Sequence, residues 1–147
     1  MEGASISILA VLLNAAAAYG AYRKEAVSPD GALAGLLVGS AIFIGSGLIG
    51  WLMLMWFFGS SSLVGRLSTE RKREALTIHE KGSRRDWIQV LANGGIAAAA
   101  ATYYGATGSQ VALPAMAVAI AAATADTWAS EIGSLSSHSP HSILTFR

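Results

Sequence analysis

Between residues 3 and 130 the chain is a series of apolar runs broken by only two charged segments, and this spacing constrains its fold more than any other feature. A helix needs about 20 predominantly apolar residues to cross the hydrocarbon core of a bilayer, fewer where the bilayer adapts. Five stretches answer to that requirement, 3–22, 31–44, 48–64, 87–104 and 110–130, one of them short. Residues 31–64 cannot be one straight span, because at 1.5 Å per residue they would extend about 50 Å. The Gly45-Ser46-Gly47 step is the natural turn. With 53% apolar and 13% charged residues in 147, the composition is that of a single membrane domain.

Charge placement predicts the orientation. Seven of the ten Lys and Arg fall between Arg66 and Arg85, and two more, Arg23 and Lys24, close the first run. The connections at 45–47 and 105–109 hold no charge. Basic loops stay cytoplasmic, so the sequence predicts five transmembrane helices with the N-terminus outside and the tail after Ser130 in the cytoplasm. Tyr22, Trp87 and Trp128 then fall at the inner interface, and Trp51, Tyr103 and Tyr104 at the outer one. The first run carries Glu2 and no basic segment ahead of it, which suits a retained helix rather than a cleaved signal. Glycines at 31, 35 and 39 and the alanine runs at 97–101 and 119–123 imply helices held by close backbone approach. Without cysteine, disulfides, thiolate zinc sites and a cysteine nucleophile are excluded. No acid or base sits near the bilayer midplane in the manner of a coupled carrier. Nucleic-acid patches and nucleophilic triads are not visible, and Pro140 argues against His138 and His141 as a helical metal pair.

Four groups of polar residues could carry chemistry. Asp126 lies near the end of an apolar helix, where an acid is costly unless it pairs, binds a cation or meets water. Helical spacing puts Asp126 and Ser130 on one face and Glu131 about 140° away unless the helix loosens before Gly133. Two such carboxylates suit Mg²⁺, and an acid paired with an arginine of the basic loop is an equal reading. Lys81, Arg84, Arg85 and Asp86 belong to that loop, which either clamps phosphates or sets topology against anionic lipid heads. Gln89 and Asn93 stack on one helix face, and Asn14 and the run Ser60 to Ser62 are the other polar groups at membrane depth. Such amides either bridge helices or line a polar pocket.

Four blocks of the sequence carry a family resemblance: Tyr22-Arg23-Lys24 with Gly31-Ala32, Phe57-Phe58-Gly59-Ser60-Ser61, Arg85-Asp86 through Gln89-Val90-Leu91-Ala92-Asn93-Gly94-Gly95, and Asp126-Thr127-Trp128-Ala129-Ser130-Glu131-Ile132-Gly133. In these the chain resembles the membrane family that includes the plant and cyanobacterial phytyl-phosphate kinases and the animal transmembrane protein 19 group. The last block is also similar, more distantly, to the Asp-x-x-Ala-Ser-x-x-Gly pattern of polyprenol and phytol kinases. The resemblance implies phosphoryl transfer from a nucleoside triphosphate, CTP or ATP, to an isoprenoid monophosphate such as phytyl phosphate, in tocopherol or related biosynthesis. On that reading Asp126 and Glu131 hold Mg²⁺, Lys81, Arg84 and Arg85 bind phosphates, and Gln89 and Asn93 orient them. Asp86 joins the catalytic group, Ser130 and Asn14 the substrate-binding one, and the isoprenoid tail lies between the small-residue helices. Members of that family continue past the position of Arg147 into a Gly-rich segment and further helices. A truncated form of a longer domain is therefore implied, or a short relative that is inactive or assembles with itself.

Overall fold

The computed structural model describes residues 2–66 and 84–133, and it is all helical. Four helices are present among the described residues: α1 (Glu2–Arg23), α2 (Pro29–Arg66), α3 (Trp87–Thr107) and α4 (Ala112–Gly133). The five separate helices expected from the sequence are therefore not what is seen. Residues 31–44 and 48–64 belong to a single 38-residue element, and the expected turn is a kink inside it at Gly47 (φ 74°, ψ −163°). That backbone conformation is open essentially to glycine alone.

The kink reverses the chain. Ser28, at the start of α2, and Ser62, near its end, both bond to Arg85, at 3.0 Å and 3.3 Å. A straight helix would hold residues so spaced about 50 Å apart. The two arms of α2 thus lie side by side, and the bend is braced from α1. Trp51 Nε1 donates to Asn14 Oδ1 (3.0 Å), Asn14 Nδ2 donates back to the Ala10 carbonyl (2.8 Å), and Phe43 meets Trp51 edge to face at 6.1 Å. Interhelical side-chain bonds of this kind in a membrane contribute on average about 0.6 kcal/mol.

Both arms of α2, together with α3 and α4, form the core, which contains Val38, Ile42, Leu54, Phe57, Ala97, Ala101, Met116 and Ile120. Helix α2 touches every other helix and α3 packs between α2 and α4, whereas α1 contacts α2 alone. Close approach makes the α2–α3 seam: a β-carbon on Gly45 would collide with the Ala101 carbonyl, and one on Gly105 would come within 2.9 Å of the Gly45 backbone. Large apolar side chains point outward all round the bundle, Ile49, Trp56, Ile96 and Val111 each being more than 70% exposed. In water such a surface would aggregate, whereas in lipid it is the expected exterior. Among the described residues three helices are long and apolar enough to cross a membrane, within Ser5–Arg23, Pro29–Gly65 and Ala112–Gly133.

Candidate functional site

The site is assembled around residues 84–86, just ahead of α3. Helix α1 stops at Arg23 in a Schellman arrangement: Ala26 N–H donates to the Ala21 carbonyl, Glu25 N–H to the Tyr22 carbonyl, and Glu25 adopts φ 59°. Ser28 then caps α2, its Oγ accepting from Gly31 N–H (3.2 Å), with Pro29 at the first helical position. The short extended piece between the helices pairs in parallel with residues 84–86. Arg85 N–H donates to the Ala26 carbonyl (3.1 Å), and the Arg85 carbonyl accepts from Ser28 N–H (3.0 Å) and Ser28 Oγ (3.2 Å). Asp30 Oδ2 accepts from Trp87 N–H (3.3 Å), and Arg84 pairs with Glu25 beside the clip. This clip fixes the Arg85 backbone, and the side chain is thereby directed inward.

The Arg85 guanidinium lies over the Phe58 ring (5.5 Å to its centre) and donates to Ser62 Oγ (3.3 Å). Burial draws its pKa below the ordinary guanidinium value, and the nearby Glu131 carboxylate works against that shift. A guanidinium remains charged under all such conditions. Glu131 itself rests against Gly65, so the C-terminal ends of α2 and α4 meet beside Arg85.

From Arg85 a cleft of about 80 Å³ runs into the bundle. Its walls are apolar, with Ala17, Ala18 and Ala21 from α1, Gly31 and Gly35 from the first arm of α2, Leu54, Met55, Phe57 and Phe58 from the second arm, and Gly94 from α3. Besides Arg85, Asn14 and Asn93 bring polar groups to the lining. One fixed cation beside an otherwise apolar slot has the chemistry to hold an anionic head joined to a hydrocarbon chain.

Of the residues expected to act together, Arg85, Asn93 and Asn14 share this cleft, and Glu131 stands near the cation. The others are placed differently. Asp86 and Gln89 form a capping box at the start of α3: Gln89 N–H donates to Asp86 Oδ1 (2.9 Å) and Asp86 N–H to Gln89 Oε1 (3.1 Å). Arg84 is turned to Glu25, while Asp126 and Ser130 are exposed on the outer face of α4. Lys81, most of the basic loop, His79, His138 and His141 lie outside the described residues. Because α4 stays helical through Gly133, Asp126 and Glu131 keep their angular separation of about 140°. They do not form the two-carboxylate Mg²⁺ site expected of them. Among the described residues no cluster of three or more His, Asp or Glu is arranged to hold a metal.

Sequence reasoning missed Ser28, Asp30 and Glu25, and it placed Ser62 only within the polar run at membrane depth. The Ser28-Pro29-Asp30 helix start was a readable signal for the first two, since a serine cap followed by proline marks a helix N-terminus. Nothing in the sequence pairs Glu25 with Arg84 or Ser62 with Arg85.

Comparison with known proteins gives a consistent picture. The chain is 31% identical over 154 aligned positions to the protein named PGR of Arabidopsis thaliana, an alignment covering 95% of this chain and 53% of that protein. It therefore spans about half the length of this curated relative. No solved structure matches it. The model of a family described as integral membrane protein DUF92 matches residues 12–147, nearly the whole chain. The membership of a membrane family that the sequence blocks implied is thereby borne out, and this chain belongs to the DUF92 family of integral membrane proteins.

Proposed function

We propose that this chain provides the lipid-phosphate site of an integral membrane phosphotransferase, which passes a phosphoryl group from a nucleoside triphosphate to an isoprenoid monophosphate such as phytyl phosphate. The observation that carries this reading is the half-buried Arg85 guanidinium at the end of an apolar cleft. It offers the two halves of such a substrate what each needs in one place. Family resemblance supplies the reaction, and the geometry supplies a binding mode.

In the proposed mechanism the acceptor phosphate lies against Arg85, with Asn93 contributing an amide from the cleft wall. An acceptor oxygen attacks the terminal phosphorus of the triphosphate. The bond to the bridging oxygen breaks, and a nucleoside diphosphate leaves with that oxygen. Such a reaction depends on alignment and charge neutralisation rather than covalent catalysis. Glu131 acts as the counter-charge of Arg85 while the site is empty of phosphate, because a half-buried cation is otherwise costly. Asp126 and Glu131 do not fit a shared metal, so no step is assigned to a metal held by the described chain.

The same proposal takes the two arms of α2 as separate crossings, which makes five in all, with the N-terminus outside and the Arg85 end cytoplasmic, where nucleotide is available. The protein is incubated in lipid nanodiscs with phytyl phosphate, Mg²⁺ and each nucleoside triphosphate in turn. Phytyl diphosphate is the expected product. A nucleotide-linked lipid would make it a lipid nucleotidyltransferase instead, and lipid binding without any product would leave a non-catalytic lipid-binding bundle.

A further inference from the structure

The cleft is open on one side for a topological reason. Helices α1 and α3 both line it, yet they do not touch each other, since α1 packs against α2 alone. The cleft is therefore a gap between α1 and α3 with α2 as its floor.

The glycines of the floor and wall divide into two kinds. A β-carbon on Gly31 would run into the Arg85 carbonyl, and one on Gly94 would come within 2.7 Å of Val38 Cγ1. Those two are already filled by the protein's own packing. At Gly35 a β-carbon would meet nothing within 4 Å, although Gly35 lies between them in the same cleft. The unfilled space of the gap thus lies in front of Gly35. Its missing side chain serves no contact within the bundle.

From this we propose that Gly35 is the residue that sets which lipids enter: a single hydrocarbon chain attached to a phosphate slides between α1 and α3, crosses over Gly35 and delivers its phosphate to Arg85. This rests on the reading of the cleft as a lipid-phosphate site and adds the route and the selectivity. A cleft of about 80 Å³ takes the first few carbons of one chain, each group comparable in size to a water molecule. On this proposal two-chain lipids such as phosphatidic acid, with the same type of head, bind less well, because the second chain has to be held outside the gap. The headgroup chemistry of the two is shared, so discrimination falls on the width of the gap.

The test is direct binding in nanodiscs, with a photoactivatable phytyl phosphate as probe and phosphatidic acid as competitor. Gly35→Leu fills the open space from the floor. Gly59→Leu is the matched control, because Gly59 is exposed outside the cleft and a β-carbon there also meets nothing within 4 Å. Gly35→Leu is expected to weaken binding about tenfold or more, equivalent to 1.4 kcal/mol, with Gly35→Ala intermediate and Gly59→Leu unchanged. Wild-type crosslinks are expected on α1 at Ala17 or Ala18, and phosphatidic acid is expected to displace the probe less well than phytyl phosphate does. Unaltered binding in Gly35→Leu, crosslinks confined to the outer face of α4, or equal competition by phosphatidic acid would each overturn the proposal, as would an absence of binding to the wild type. Diphosphate formation with identical KM in wild type and Gly35→Leu would remove the Gly35 route and leave the kinase standing. Gly35-sensitive binding without product from any triphosphate would do the reverse.

Discussion

Arg85 shows how one residue can be held by its backbone and used through its side chain. Its N–H and carbonyl are committed to Ala26 and Ser28, which leaves the guanidinium to Phe58, Ser62 and the cleft. Arg85→Lys keeps the charge and loses the planar fork that matches a phosphate. Steady-state assays should show a rise in KM for the lipid phosphate of about tenfold or more, with the thermal unfolding midpoint nearly unchanged. An unaltered KM would take the side chain out of substrate binding. Glu25 presents the opposite balance. It adopts a left-handed conformation that costs a non-glycine residue about 1–3 kcal/mol. In return it pairs with Arg84 at a site where the two side chains are 71% and 43% exposed, and such pairs contribute only about 0–1 kcal/mol. Glu25→Gly should therefore raise the melting temperature in detergent. A fall would mean that the ion pair holds the clip together.

At the scale of elements, close approach decides which glycines matter. Glycine to alanine inside a helix normally stabilises by about 0.5–1 kcal/mol. Gly31→Ala and Gly45→Ala should do the opposite, because the added carbon meets the carbonyls of Arg85 and Ala101, backbone atoms that cannot swing aside. Lower melting temperatures for both, set against a neutral or stabilised Gly59→Ala, would confirm that the α2–α3 seam is held by backbone contact. Gly47→Ala should cost about 1–3 kcal/mol for its backbone conformation alone. Much of this level was legible in the sequence. The apolar runs marked the helices to within a few residues, and the Gly45-Ser46-Gly47 step marked the reversal, because lipid-crossing length and glycine turns leave direct traces. The three-residue spacing of Asp86 to Gln89 was also a capping signature, although its residues were read as chemistry. What could not be read was the orientation of α4. A helix built from alanine has no apolar side to contrast with a polar one, so nothing in its pattern says that Glu131 turns inward and Asp126 outward.

For the molecule as a whole, the absence of cysteine makes orientation directly measurable, since any introduced cysteine is a unique label. Ser109→Cys, at the α3–α4 turn, and Lys24→Cys, beside the clip, should react with a membrane-impermeant maleimide from opposite faces, Ser109→Cys from outside. Both reacting from one face would mean that α3 does not cross. Convergence of Arg85, Ser62, Gly65 and Glu131 at one end could be anticipated from charge alternation, because basic segments gather on one side of a bilayer. The cleft could not, since it exists only because α1 and α3 leave each other untouched. One consequence of the break at Gly47 concerns biogenesis. On the proposal that both flanking arms cross the membrane, their joining without a loop ties their entry into lipid together: the two are expected to insert as a pair, and a mutation that lowers the hydrophobicity of one arm is expected to impair both.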